Sequence, residues 1–235
     1  MATQGLVFYT AKGSPFSQRI EIVFEEAGVQ PTTYFIDIHD KPDWFVPKIP
    51  AATYGGPKVA PDDPSPDSVK LAESLALLEF AAELYPNANM YPKDVVDRAR
   101  ARFFINATSG LLASFYGLIV KGGTDASSAF IKDLKTLQML LPPDGGFAIG
   151  EFSIADAAVA PFIARAEVYL RNDLGMFATG EGPKIHKQIF ENAEFARLQQ
   201  YWKDIAARPS FKATLDEPFL VEYASAYLAK AKAQK

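Results

Sequence analysis

The stretch Ser14-Pro15-Phe16-Ser17-Gln18-Arg19 decides how this 235-residue chain is read. Just before it, Leu6-Val7-Phe8-Tyr9 is an unbroken apolar run of the length of a buried strand. After it, Phe16, Ile20, Phe24 and Ala27 recur at helical spacing and predict an apolar face over residues 15–27. Ser14 is placed to cap that helix, and Pro15 at the first helical position sacrifices no hydrogen bond. Gly28 can supply the left-handed residue that closes it. A hydroxyl is therefore expected where a strand hands over to a helix, at the positive end of the helix dipole. An anion, a thiolate included, is stabilised there. Capping alone accounts for a serine at this place, so any chemistry at Ser14 needs support from the rest of the chain.

The composition bounds what that chemistry can be. Hydrophobic residues make up 49% of the chain, with 18 Phe and 10 Tyr, enough for a full core without cross-links. The net charge of -4 offers no attraction to nucleic acid or to an anionic membrane. With no cysteine, thiol catalysis by the protein, thiolate metal sites and disulfides are all excluded. The two histidines, His39 and His186, are too few for a histidine-based metal site, so no metal is expected. The N-terminus lacks a basic region followed by an apolar segment, and no apolar run suggests a bilayer span. These features together predict a cytoplasmic protein without nucleic-acid or membrane partners.

Outward from the opening motif, Thr33-Tyr34-Phe35-Ile36-Asp37-Ile38 is β-branched and aromatic and predicts a second strand. Strand, helix and strand at this spacing form a βαβ unit with parallel strands. Lys41 to Phe45 reads as a short turn, and Ala52-Thr53-Tyr54 as a third strand entered through Ile49-Pro50. The segment 55–68, rich in Gly, Pro and Asp, predicts a long hairpin loop before a fourth strand at 69–72. Ser74 is the expected cap of a helix over 75–85, and residues 86–92 read as a linker. Beyond it the pattern is helical throughout: 93–120, 124–141, 155–170, 184–207 and 218–231. Ser153-Ile154-Ala155-Asp156 has the spacing of a capping box, with Asp156 in the place of the usual Glu. The predicted architecture is an α+β domain of βαβ-ββα order over 1–86, followed by an all-helical domain over 93–235.

In this order the pieces resemble a glutathione transferase. The resemblance runs over nearly the whole chain and rests on four signals: Ser14 after the first strand, Ile49-Pro50, Glu73-Ser74, and the Ser153–Asp156 box. Within that family, Ser14 to Arg19 and Lys41-Pro42-Asp43-Trp44-Phe45 resemble the omega class, in which a catalytic cysteine normally opens the motif. Here Ser14 takes its place, as in serine-bearing omega-like forms of wood-degrading fungi. The Tyr54-Gly55-Gly56 turn and its proline-rich loop are similar to fungal members too.

The resemblance implies a thioredoxin-like first domain that binds glutathione as co-substrate. Ile49, before a cis Pro50, would offer its backbone to the cysteinyl part. Glu73 would pair with the γ-glutamyl ammonium and Ser74 with its carboxylate. Lys41 would face the glycyl carboxylate, with Lys48 the second candidate. Phe16 stands beside the serine. It counts with the glutathione site and also, with Phe104 and Tyr116, with the electrophile pocket that the family places between Ser14 and the second domain. A serine cannot form a mixed disulfide with glutathione. It can stabilise the thiolate for conjugation to hydrophobic electrophiles or for peroxide reduction. The alternative is a ligandin, carrying aromatic or polyphenolic compounds with little turnover, and a weaker third reading is a binding module without turnover. A homodimer is implied by the same resemblance.

Overall fold

The computed structural model describes residues 5–37, 40–45, 51–122 and 124–233, and the chain divides into two units, Met1–Tyr91 and Pro92–Lys235. In the first unit, strand β1 (Val7–Thr10) lies inside a four-stranded sheet of order β2-β1-β3-β4. It pairs in parallel with β2 (Thr32–Phe35) and antiparallel with β3 (Ala52–Tyr54), and β3 pairs antiparallel with β4 (Val69–Leu71). β2 is shorter than the 33–38 expected: Ile36 is buried just past its end, and Ile38 lies outside the described residues.

Alternation along β1 sends its side chains to two faces. Phe8 meets Phe24 of helix α1 (Pro15–Ala27) edge to face at 5.4 Å. Ile22 and Val23 of α1 are fully buried, as are Leu78 and Ala82 of helix α2 (Ser74–Leu84), which makes this layer the unit's main core. On the other face, Tyr9 gathers Tyr34, Trp44 and Phe45, with ring centroids 6.0–6.1 Å away. The turn that presents these last two rings closes with the Phe45 amide on the Pro42 carbonyl at 2.9 Å.

α1 ends as its sequence predicts. Gly28 takes φ 65°, its amide bonds the Glu25 carbonyl, and the Val29 amide reaches back to Phe24. α2 begins differently from expectation. Ser74 is its first helical residue, not its cap; Glu73 holds the cap position and makes no side-chain cap bond.

The second unit is built on α6 (Ile154–Arg171), buried along almost its whole length. The span predicted as one helix over 93–120 breaks into α3 (Val95–Ala107) and α4 (Gly110–Tyr116), followed by a π-helical turn over Gly117–Lys121. The Thr108 hydroxyl bonds the Phe104 carbonyl at 2.7 Å at that break, and Gly110 and Gly117 lower helix propensity beyond it. By length and composition alone, Val95–Lys121, with an 18-residue window of mean hydropathy 1.6, is apolar enough to cross a membrane, contrary to expectation. It is interrupted and carries Arg98, Arg100 and Arg102 near one end. Ala101, Phe104, Leu111 and Phe115 are buried, as in the core helices of a bundle.

α5 (Thr124–Leu140) follows expectation. The predicted 184–207 helix is two, α7 (Glu181–Phe190) and α8 (Ala196–Ala207): Glu191 closes the first, and the Asn192 side chain caps the turn before the second. α9 (Pro209–Thr214) had no prediction, and α10 (Glu217–Ala233) closes the unit.

Candidate active site

Ser14 stands at the cap of α1 with extended backbone, φ -71° and ψ 123°. Its hydroxyl oxygen accepts the Ser17 amide at 3.2 Å, and its carbonyl accepts the Gln18 amide at 3.1 Å. The residue is half-buried, and its own amide bonds the Ala11 carbonyl, which closes the turn from β1 into the helix. Among the described residues no acceptor faces the Ser14 hydroxyl proton. An oxygen held by the helix and a proton still to give is the arrangement that can hydrogen-bond an external anion at a helix N-terminus.

The second helix start is tied to the first. Arg19, buried in α1, donates to the Ser74 hydroxyl at 2.8 Å, and its guanidinium lies 5.6 Å from the centre of the Phe16 ring. Arg19 was part of the quoted motif but carried no role in the sequence reading. The sequence signal is an arginine four residues after the helix-initiating Pro15, next to the apolar face of Phe16 and Ile20. Glu73, exposed and next to Ser74, takes φ 65° and ψ 112°, a left-handed conformation that costs a non-glycine residue about 1–3 kcal/mol. Backbone strain of that size persists only where the surrounding fold dictates it.

Of the other expected site residues, Phe16 lies in the first turn of α1, half-buried, and Lys41 is exposed ahead of the Pro42–Phe45 turn. Lys48, Ile49 and Pro50 lie outside the described residues, as does His39. In the helical unit, Phe104 is buried on α3, while Tyr116 is 39% exposed at the end of α4 and meets the Phe115 ring at 5.3 Å. Among the described residues no group of three or more His, Asp or Glu side chains is placed to hold a metal ion.

The glutathione S-transferase N-terminal domain family matches residues 8–89. The chain is 42% identical to glutathione transferase Omega 1C from Trametes versicolor, covering 97% of this chain and 98% of that one, with a TM-score of 0.91. It is 43% identical to Omega 2S of the same fungus, solved with 2,4-dihydroxybenzophenone, over 94% and 98% of the two chains at a TM-score of 0.85. Glutathione S-transferase L3 of Arabidopsis thaliana is 26% identical over 191 residues, 78% of this chain and 76% of that protein. A hydroxyl poised at the strand-to-helix turn, a strained acid beside a second helix start, and near-full-length likeness to fungal omega-class enzymes lead to one conclusion: this chain belongs to the glutathione transferase family.

Proposed function

We propose that the protein binds glutathione in its N-terminal unit and conjugates it to hydrophobic electrophiles, with Ser14 stabilising the thiolate. The observation that carries this reading is the Ser14 hydroxyl, whose oxygen is held by the Ser17 amide at 3.2 Å and whose proton meets no acceptor among the described residues. Donation of that proton to the glutathione sulfur, together with the α1 dipole, lowers the thiol pKa. The thiolate then attacks an electrophilic carbon, or a peroxide oxygen, while Ser14 forms no covalent bond. Glu73 pairs with the γ-glutamyl ammonium, and Ser74, held by Arg19, takes the carboxylate at the start of α2. Lys41 or Lys48 meets the glycyl carboxylate, and Ile49 with Pro50 carries the cysteinyl backbone. Phe16, Phe104 and Tyr116 contribute to the electrophile site. The protein acts as a cytoplasmic homodimer in detoxification.

A second reading is a ligandin that carries aromatic or polyphenolic compounds with little turnover. It is favoured by the benzophenone complex of the 43%-identical Trametes protein.

Titration of wild type and Ser14→Ala with glutathione, followed by conjugation of benzyl and phenethyl isothiocyanate, separates the two. Under the enzyme reading the variant keeps glutathione binding and loses rate. Equal, slow turnover by both proteins makes Ser14 a helix cap and favours the ligandin. Failure to bind glutathione overturns the site.

A further inference from the structure

A cavity of about 790 Å³ lies wholly within the N-terminal unit, between the sheet and the proline-rich loop 55–68. Its floor is the sheet face that carries Val7, Tyr9 and Thr53, and it is also lined by Gly5, Leu6 and Thr32. Those last residues stand at the beginnings of β1 and β2. Ser14 follows the end of β1, so cavity and serine belong to opposite ends of the sheet.

The cover over this cavity is held in place. The Tyr9 hydroxyl donates to the Pro61 carbonyl at 2.5 Å, which ties the middle of the loop to the sheet. Near the far end, the Lys70 ammonium donates to the Ser65 carbonyl and, at 2.9 Å, to that of Ser68. Where the loop leaves β3, Gly56 takes φ 75°, and a Cβ there would stand 3.0 Å from the Ser68 nitrogen. The loop therefore closes on itself at a position only glycine fits.

The lining sets the ligand. Tyr9, Tyr54, Pro57, Pro61 and Pro64 are rigid, flat-sided groups that pack against an aromatic ring at little entropic cost. The volume falls in the range of small-molecule sites, roughly 300–1,000 Å³. The charged side chain in the lining is Lys58, and the remainder of the lining is neutral. Asp62 also helps push the Tyr9 hydroxyl pKa upward, after the larger effect of burial. We propose that this cavity is a second binding site, specific for planar aromatic compounds and independent of the glutathione site.

The test titrates the whole protein with 2-naphthol, with and without saturating glutathione, and follows amide hydrogen exchange. The expected result is slowed exchange at residues 53–65 that saturating glutathione does not reverse, separate from any slowing at 14–19 or in the helical unit that the electrophile site produces. Ala60→Trp, on the exposed part of the lining, should weaken 2-naphthol binding by about tenfold or more. Its far-ultraviolet circular dichroism and thermal midpoint report that it is folded. Absence of 2-naphthol binding, absence of slowed exchange at 53–65, loss of that slowing on adding glutathione, or unchanged slowing there in folded Ala60→Trp would each overturn the proposal.

Discussion

Among the described residues two serines cap helices through their side chains, and they face opposite surroundings. Ser153 opens α6 from inside the helical unit at 2% exposure, while Ser14 opens α1 half-buried. The Ser153 oxygen accepts the Ala155 amide at 3.2 Å, and its hydroxyl and amide both engage Asp156. Asp156 also accepts the Ala148 amide at 2.8 Å and the Tyr201 hydroxyl at 2.9 Å, so the box stitches the 142–152 loop, α6 and α8 together. Ser14 accepts one amide, and its proton has no acceptor among the described residues. One residue type at one kind of helix position thus serves two ends. Where every polar atom is consumed internally the serine holds the fold, and where a donor is left over it can serve a ligand.

The largest expected effect is at the fully consumed site. Asp156→Ala strands the Ala148 amide and the Tyr201 hydroxyl in the interior and should cost about 3–5 kcal/mol, read as a drop in urea midpoint. A cost near zero would mean that water replaces the carboxylate and that the box is not the keystone of the helical unit.

The pH dependence sharpens the same side of the comparison. Burial raises the Asp156 carboxyl from its ordinary 3.8 to about 6, against the opposing pull of the Ala148, Tyr201 and Ser153 hydrogen bonds. Between those values the folded chain holds a proton that the unfolded chain has released. This group's contribution is therefore fully present below pH 4 and is lost as pH rises through 6, by about 3 kcal/mol. Denaturation midpoints between pH 4 and 7 should show the decline in wild type and a flatter profile in Asp156→Asn.

At the other serine the effect moves from stability to rate. Ser14→Ala should lower conjugation roughly ten- to a hundredfold, the worth of one hydrogen bond to a charged group, while glutathione affinity changes little. Its folding cost should be about 0.5–1 kcal/mol, below the 1–2 kcal/mol expected for Ser153→Ala, since water can replace a half-exposed cap. Equal destabilisation by the two substitutions, with no change in rate, would erase the distinction between them.

The smallest effect is expected at the sheet. Tyr9→Phe removes the bond to the Pro61 carbonyl and should cost about 1 kcal/mol, with faster amide exchange in the loop 55–68 and none of the rate loss of Ser14→Ala.

Much of this was legible in the chain itself, wherever the controlling interactions are local. The α1 boundaries, its Ser14 cap and Gly28 stop follow from residues within one turn of each end, and so does the Ser153–Asp156 box. The order βαβ-ββα then helical follows from periodicity and punctuation. Misplaced boundaries trace to short-range competition that periodicity does not register. A Thr108 hydroxyl bonding a backbone carbonyl breaks the predicted 93–120 helix, and the Asn192 side chain caps a turn inside the predicted 184–207 helix.

What tertiary structure alone decided depends on residues distant in the chain. The bond from Arg19 to Ser74 spans 55 positions and turns an expected cap into a partner of α1, with Glu73 held at positive φ beside it. The tie from Tyr9 to Pro61 spans 52 positions and closes a loop over a cavity that no local pattern announces. A serine's identity and its capping role are local properties of the sequence. Whether its proton remains available depends on burial and on partners that only the folded chain brings near.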